Sequence, residues 1–245
     1  MKKLKLIMSA LILISTYTHA SISVDRTRVI YDEASKGVSV VIENIDKKDP
    51  YLVQSWIENE NGEKISEPLI ALPLLQRVEA NQKKQIRISL SKNDVKIPNN
   101  QESLFYFNVL GIPPKTKLEN AVEIVIQSRF KLFYRPNELK KYPNNDWQKE
   151  LKVEKVGKSL ILTNPTPYHI IVINVNVNVN DNESKANDFK EIVVKPNSNA
   201  TYLLSDKQVK SPKMIVTYID DYGTPNLLKY TCNTTCSLSN EKDKR

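Results

Sequence analysis

The sequence predicts an all-β protein built as two β-sandwich domains. Helical periodicity is scarce. Short segments of strict alternation recur along the chain, each bounded by clusters of Asn, Asp, Gly, Pro or Lys, which is the spacing of antiparallel sandwiches and barrels. The alternation pauses once, at "RPNELKKYPNNDWQ", where Pro136, Pro143 and a run of polar residues read as a linker.

The first twenty residues, "MKKLKLIMSALILISTYTHA", form a separate element. A basic start (Lys2, Lys3, Lys5), an apolar run from Leu6 to Ile14 and a polar stretch ending in Ala20 make a secretory signal peptide, with cleavage expected after Ala20. The apolar run is too short for a spanning helix, which needs about 20 apolar residues. The exported protein is therefore expected to be residues 21–245, long enough for one large or two ordinary domains. Three lysines leave with the leader, so the net charge falls from +8 to +5. The remaining lysines are scattered, which reads as a solvated surface and not as a nucleic-acid footprint.

Five segments precede the longest one: "SISVDRTRVIYD", "GVSVVIENID", "YLVQSWIENE", "KKQIRISLS" and "SLFYFNVLGI". Then comes "AVEIVIQSRFKLFYRP", residues 121–136. Val122, Ile124, Ile126, Phe130, Leu132 and Tyr134 share one parity, broken by Ser128. Glu123, Gln127, Arg129, Lys131 and Arg135 share the other, with Val125 and Phe133 as apolar exceptions. A period of two marks a strand, and this one exceeds the usual length of about 5–6 residues. After the linker, strands resume in "KVEKVGKSLILTNPTPYHIIVINVNVNVND", "FKEIVVKP", "ATYLLS", "KMIVTYID" and "NLLKYTC". In "INVNVNVND" the alternation predicts valine facing in and asparagine facing out. The domains are assigned to residues 21–138 and 139–245.

The two cysteines, Cys232 and Cys236, lie in "TCNTTCS". In an exported chain the pair reads as an intramolecular disulfide, ahead of two free thiols or a metal pair. So short a loop contributes about 2 kcal/mol or less. No metal site is expected, because the exported chain has the single histidine His169 and no second cysteine pair. His169, in "TPYHIIVI", reads as a packed or surface histidine. No G-x-S-x-G, P-loop or H-E-x-x-H is present, and no spacing selects two carboxylates as a glycosidase pair. The chain reads as a binding protein, with no cofactor and no catalytic residues expected.

"SVDRTRVIYD", "PYLVQSWIENENGEKI", "ESLFYFNVLGIPP", "KLFYRP", "NPTPY" and "DDYG" occur in that order. Together they resemble the PapD-like periplasmic pilus (fimbrial) chaperones over essentially the whole exported chain. The short connection "GIPPKTKLEN" looks like the short-loop group of that family. The resemblance implies two immunoglobulin-like β-sandwich domains in an L, with a cleft between them. It implies a non-enzymatic function: binding and stabilising pilus subunits by donor-strand complementation, and delivery to an outer-membrane usher. It places the protein in the periplasm of a Gram-negative bacterium, and allows self-association as a client-free resting state.

Residue by residue, the resemblance assigns Arg28 and Lys131 to the subunit's terminal carboxylate, and Val122, Ile124 and Ile126 to the subunit's groove. It assigns Glu102, Arg135 and Asp221 to an interdomain ionic set. Without it, the three aliphatic residues read as core of their own domain and the two cations as solvated surface. Lys131 has the opposite parity to Val122, Ile124 and Ile126, so it either faces the other way or a bulge intervenes. The ionic set, taken as exposed at about 0–1 kcal/mol per pair, is expected to orient the domains more than to stabilise them. Two departures from the family pattern stand out. Three residues separate the cysteines where the PapD type has four, and the Asn/Val run replaces a glycine-rich segment. The rival function is an exported immunoglobulin-like adhesin or receptor-binding module, which has no need for Arg28 and Lys131 together.

Overall fold

The computed structural model of the chain describes residues 21–91, 97–116, 122–177, 189–233 and 235–239. The expected signal peptide, residues 1–20, lies outside the described residues.

The first domain is a sandwich of two sheets. One has the order β1 (Ile22–Val24), β3 (Val38–Asn44), β8 (Lys83–Leu90), β6 (Leu69–Leu72). The other runs β2 (Arg28–Asp32), β10 (Ile126–Arg135), β9 (Ser103–Ile112), β4 (Tyr51–Glu58). The far edge of β4 is shared by β5 (Lys64–Ile65) and β7 (Leu75–Val78). Alternation supplies the core: Val40, Ile42, Ile86 and Ile88 from the first sheet meet Val53, Ile57, Phe107 and Leu132 from the second. Each such side chain contributes about 1.5–3 kcal/mol by leaving water.

The structure divides the predicted strand "SISVDRTRVIYD" in two. Residues 25–27 carry the chain from one sheet to the other, so β1 borders β3 while β2 borders β10. One short segment thus covers an edge of each sheet. The pairing of β2 with β10 is parallel, a departure from the expected all-antiparallel arrangement. Strands β6 and β7 were not predicted. Their sequence, "LIALPLLQRV", is apolar without alternation as far as Leu75, and Pro73, which cannot donate to a ladder, divides it.

The second domain winds eight strands into one continuous hydrogen-bonded order: β14 (Ile192–Val194), β13 (Ile170–Asn176), β16 (Lys213–Ile219), β17 (Pro225–Cys232), β18 (Thr235–Leu238), β11 (Lys152–Val156), β12 (Ser159–Asn164), β15 (Ser198–Leu203). The unpredicted β18 joins the two layers, pairing with β17 on one side and β11 on the other. Cys232 and Cys236 face each other across the β17–β18 ladder and form a disulfide. Buried Asn164 ties down "NPTPY": its amide donates to the carbonyls of Tyr168, Val194 and Lys195, and its Oδ1 accepts from the Thr166 N–H.

In "INVNVNVND", Val175 and Val177 are buried while Asn174 and Asn176 are half-buried. A bulge between Val172 and Asn174 shifts the register against β16, so Val172 and Val175 both face the core. Beyond the short β14, the Gln208 amide donates to the Val175 carbonyl at 2.6 Å. Gln208 belongs to α1 (Asp206–Lys210), a helix closed by a Ser205/Gln208 capping box. Val179 lies outside the described residues.

Gly111 of β9 packs beneath β1, where an added Cβ would lie 2.7 Å from Ile22 Cγ1. Gly111→Ala is expected to lower stability by about 1–3 kcal/mol through overpacking, read as a drop in the urea midpoint. An unchanged midpoint would show that β1 yields freely at this point.

Candidate functional site

Strand β10 has two faces with different tasks. Phe130, Leu132 and Tyr134 turn into the core of the first domain. Phe133 turns the other way, and with Leu104 meets Ile171 of the second domain in a small interdomain cluster. This contact explains the apolar exception at Phe133 on an otherwise polar face. The ladder with β9 is unbroken from Ile126, opposite Gly111, to Tyr134, opposite Ser103. No bulge separates Ile126 from Lys131, so the two lie on opposite faces.

The predicted strand over 121–136 is shorter than expected at its start. β9 ends at Ile112 and is followed by Pro113 and Pro114, so Val122–Val125 extend past the paired part of the sheet. Val122, Ile124 and Ile126 are 89%, 70% and 45% exposed, which removes them from the core of their own domain. Strand β2 pairs with β10 only from Lys131 onward. Over Ile126–Phe130, therefore, the second backbone edge of β10 has no strand partner among the described residues. At this end of the sandwich the exposed tip and Ile22, Ile45 and Tyr51 line an open cavity of about 680 Å³.

Arg28 and Lys131 stand directly opposite each other in the parallel β2–β10 pair. Both are partly buried. The Arg28 Nε is buried with no hydrogen-bond partner among the described residues. Burial pushes its guanidinium below the usual value, against the pull of Asp221, Glu191, Asp220 and Glu102. The Lys131 Nζ pairs with Glu191 Oε1, from the second domain, at 2.5 Å.

The ionic set is assembled where the two domains meet. Arg135 Nε and Nη2 donate to Glu102 Oε1 at 3.1 and 2.8 Å, and Nη1 and Nη2 donate to the Asp221 carboxylate at 2.8 and 3.1 Å. The side chains are 2% (Glu102), 14% (Arg135) and 18% (Asp221) exposed. The expectation of an exposed set is therefore corrected: the domain interface encloses it. Burial disfavours the Arg135 cation, but Asp221 and Glu102 outweigh that and push it above its usual value. The guanidinium also lies over the rings of Trp147 and Tyr168 at 4.9 and 5.0 Å.

His169 completes the set and was not assigned to it from sequence. Its backbone N–H donates to Glu102 Oε2 at 2.8 Å, and its buried Nδ1 lies 2.9 Å from the same oxygen. The Glu102 N–H donates to the Pro167 carbonyl at 2.8 Å. The turn that presents Asp221 is held by Asp220, whose Oδ1 accepts from the N–H groups of Tyr222 and Thr224. In the same turn Gly223, at φ +86°, presses on the first domain, where an added Cβ would lie 2.4 Å from Thr27 Oγ1.

Residues 21–140 match the family described as pili and flagellar-assembly chaperone, PapD N-terminal domain, and residues 146–229 match pili assembly chaperone PapD, C-terminal domain. The chain belongs to this family of pilus-assembly chaperones. It is 37% identical to the chaperone protein PapD of Escherichia coli over 241 residues, covering 97% of this chain and 98% of the relative. It is 39% identical to the chaperone protein PmfD of Proteus mirabilis, covering 96% and 92%. Among solved structures, the complex of the SafA pilin with the SafB chaperone from Salmonella enterica has a TM-score of 0.72 at 25% identity, covering 89% of this chain and 99% of that one. The YadV chaperone has a TM-score of 0.70 at 28% identity, covering 86% and 100%. The fold of this chaperone is thus the family's pair of immunoglobulin-like sandwiches.

Removing one member of a buried ionic set leaves the others unpaired. Arg135→Ala is expected to cost about 3–5 kcal/mol of stability, whereas Lys158→Ala, which breaks an exposed pair with Asp206, should stay within about 1 kcal/mol. Urea denaturation of the two variants side by side checks the contrast.

Proposed function

We propose that this chaperone binds pilus subunits by lending them β10, and that Arg28 and Lys131 hold the subunit's terminal carboxylate. The observation that carries the reading is the state of β10. Its leading part is apolar, exposed and unpaired along one edge, and two adjacent cations stand at the point where pairing with β2 begins. An exposed edge of this kind is a template for another chain's strand. Val122, Ile124 and Ile126 offer every second side chain to a partner's groove. Lys131 lies five residues beyond Ile126, about 17 Å along the strand at about 3.4 Å per residue. Anchoring a carboxylate there would fix which side chains enter the groove, since a slip of one residue presents the wrong face. The orphaned Nε of Arg28 suits an acceptor supplied by a ligand.

The setting follows the family. SafB is described in complex with a pilin, and SfaE, similar to this chain at a TM-score of 0.66 and 29% identity, is described as a periplasmic chaperone. In this reading the protein works in the periplasm after removal of residues 1–20, with domains divided near residue 138. It hands its subunits to an outer-membrane usher, and it uses folding information and no catalysis. Glu102, Arg135, Asp221 and His169 would hold the second domain at the angle that forms the cleft.

Charge-assisted hydrogen bonds contribute about 1.5–3 kcal/mol each, so Arg28→Ala or Lys131→Ala should weaken subunit binding by about ten- to a hundredfold with the chaperone still folded. Co-purification with subunits from the periplasm reads this, and full retention by both variants would sink the anchor. Ile124→Asp should reduce subunit capture while leaving the thermal midpoint of the free protein within a few degrees. A collapse of the free protein would instead return Ile124 to its own core.

A further inference from the structure

The anchor lysine is already occupied. Glu191 Oε1 sits 2.5 Å from the Lys131 ammonium, while Arg28, one strand away, keeps a buried nitrogen without a partner among the described residues. Glu191 is not a loosely placed surface residue. It immediately precedes β14, whose Val193 packs against the interdomain cluster of Leu104, Phe133 and Ile171. Lys195, just after β14, pairs with Glu60 of the first domain. The strand is thereby tied to the first domain on both sides, and the Glu191 carboxylate is carried to the anchor.

The two classes of ion pair in this cleft differ in solvation. Glu102 is 2% exposed on Arg135, whereas Glu191 is 37% exposed on Lys131. A carboxylate this exposed returns to water at little cost when another anion takes its place on Lys131. We infer that Glu191 is an internal competitor at the anchor: a carboxylate that occupies Lys131 until a client's own terminal carboxylate displaces it. This rests on the carboxylate-anchor reading above. An incoming carboxylate meets Arg28 unpaired and Lys131 taken. A fully charged group can replace Glu191 on the ammonium, whereas a neutral chain end leaves the pair in place and meets β10 by backbone alone. Glu191 thus lowers affinity for a carboxylate-ended ligand and leaves that for a neutral-ended one unchanged.

The test uses the full exported chain and a dye-labelled nine-residue peptide of alternating valine and threonine with no acidic side chain. One form ends in a free carboxylate and its twin in an amide. Anisotropy titrations at low and high salt compare the wild type with Glu191→Gln. The expected result is a gain of about three- to fivefold in affinity for the carboxylate form at low salt, shrinking at high salt. The preference for carboxylate over amide should widen by the same factor, because the amide form does not compete with Glu191. If the wild type prefers the carboxylate but Glu191→Gln binds it no better, or more weakly, the exchange is refuted and Glu191 serves only to join the domains. If neither chain prefers carboxylate over amide, the anchor reading itself fails and the exchange falls with it. The urea midpoint of Glu191→Gln should match that of the wild type, which separates a change of affinity from a loss of fold.

Discussion

Side chains alternate along β10, and both domains take their positions from that alternation. One parity buries Leu132 and Tyr134 in the first sandwich. The other places Lys131, Phe133 and Arg135 toward the second domain, as ion pair, apolar contact and ionic hub. A slip of one residue would exchange the two sets and bury the cations. The register is held from both sides where it matters most: β9 pairs along the whole strand, and β2 joins over its second half. The unpaired first half is left to project apolar side chains without disturbing that frame. A single strand can therefore serve the core of one domain and the junction with the other because these tasks fall on different faces.

The ion pairs sort by solvation into two tasks. Enclosed charges resist separation, since any one of them left alone in the interface meets a large desolvation penalty. Glu102 illustrates this, with Arg135 on one oxygen and His169 on the other. The partly open pairs on either side of β14 are individually weak. They let the cleft's wall lie close to the first domain without fixing it there.

Much of the strand content was legible because half-buried strands alternate, and most alternating segments became strands. The exceptions have physical reasons. "LIALPLLQRV" forms β6 and β7 without alternation as far as Leu75, and β18 is only four residues long, beside the disulfide. The switch between β1 and β2 falls on the polar run at residues 25–28, across which the core-facing parity changes from Ile22 and Val24 to Val29 and Tyr31. The site was less legible. Nothing local relates Arg28 to Lys131, because their adjacency needs a parallel pairing between strands far apart in sequence. The roles of Glu102 and Asp221 came from family resemblance, and no spacing would have selected them. His169 and Glu191 belong to the second domain and acquire their partners only when the domains meet. Phe133 stood out only as an apolar side chain on the polar face of its strand, as Val125 did, and nothing local separates the one that meets the second domain from the one that does not.

The turn that delivers Asp221 to Arg135 also brings Gly223 onto Thr27, next to Arg28. The glycine's left-handed backbone and its missing Cβ both favour glycine there. The angle between the domains is thus limited by bare backbone against a threonine. Any side chain at that point would act as a wedge and open the cleft about the ionic set. Cleft width and strand chemistry are therefore separate properties of this chain: the first can change at one turn of the second domain while every residue of β10 stays the same.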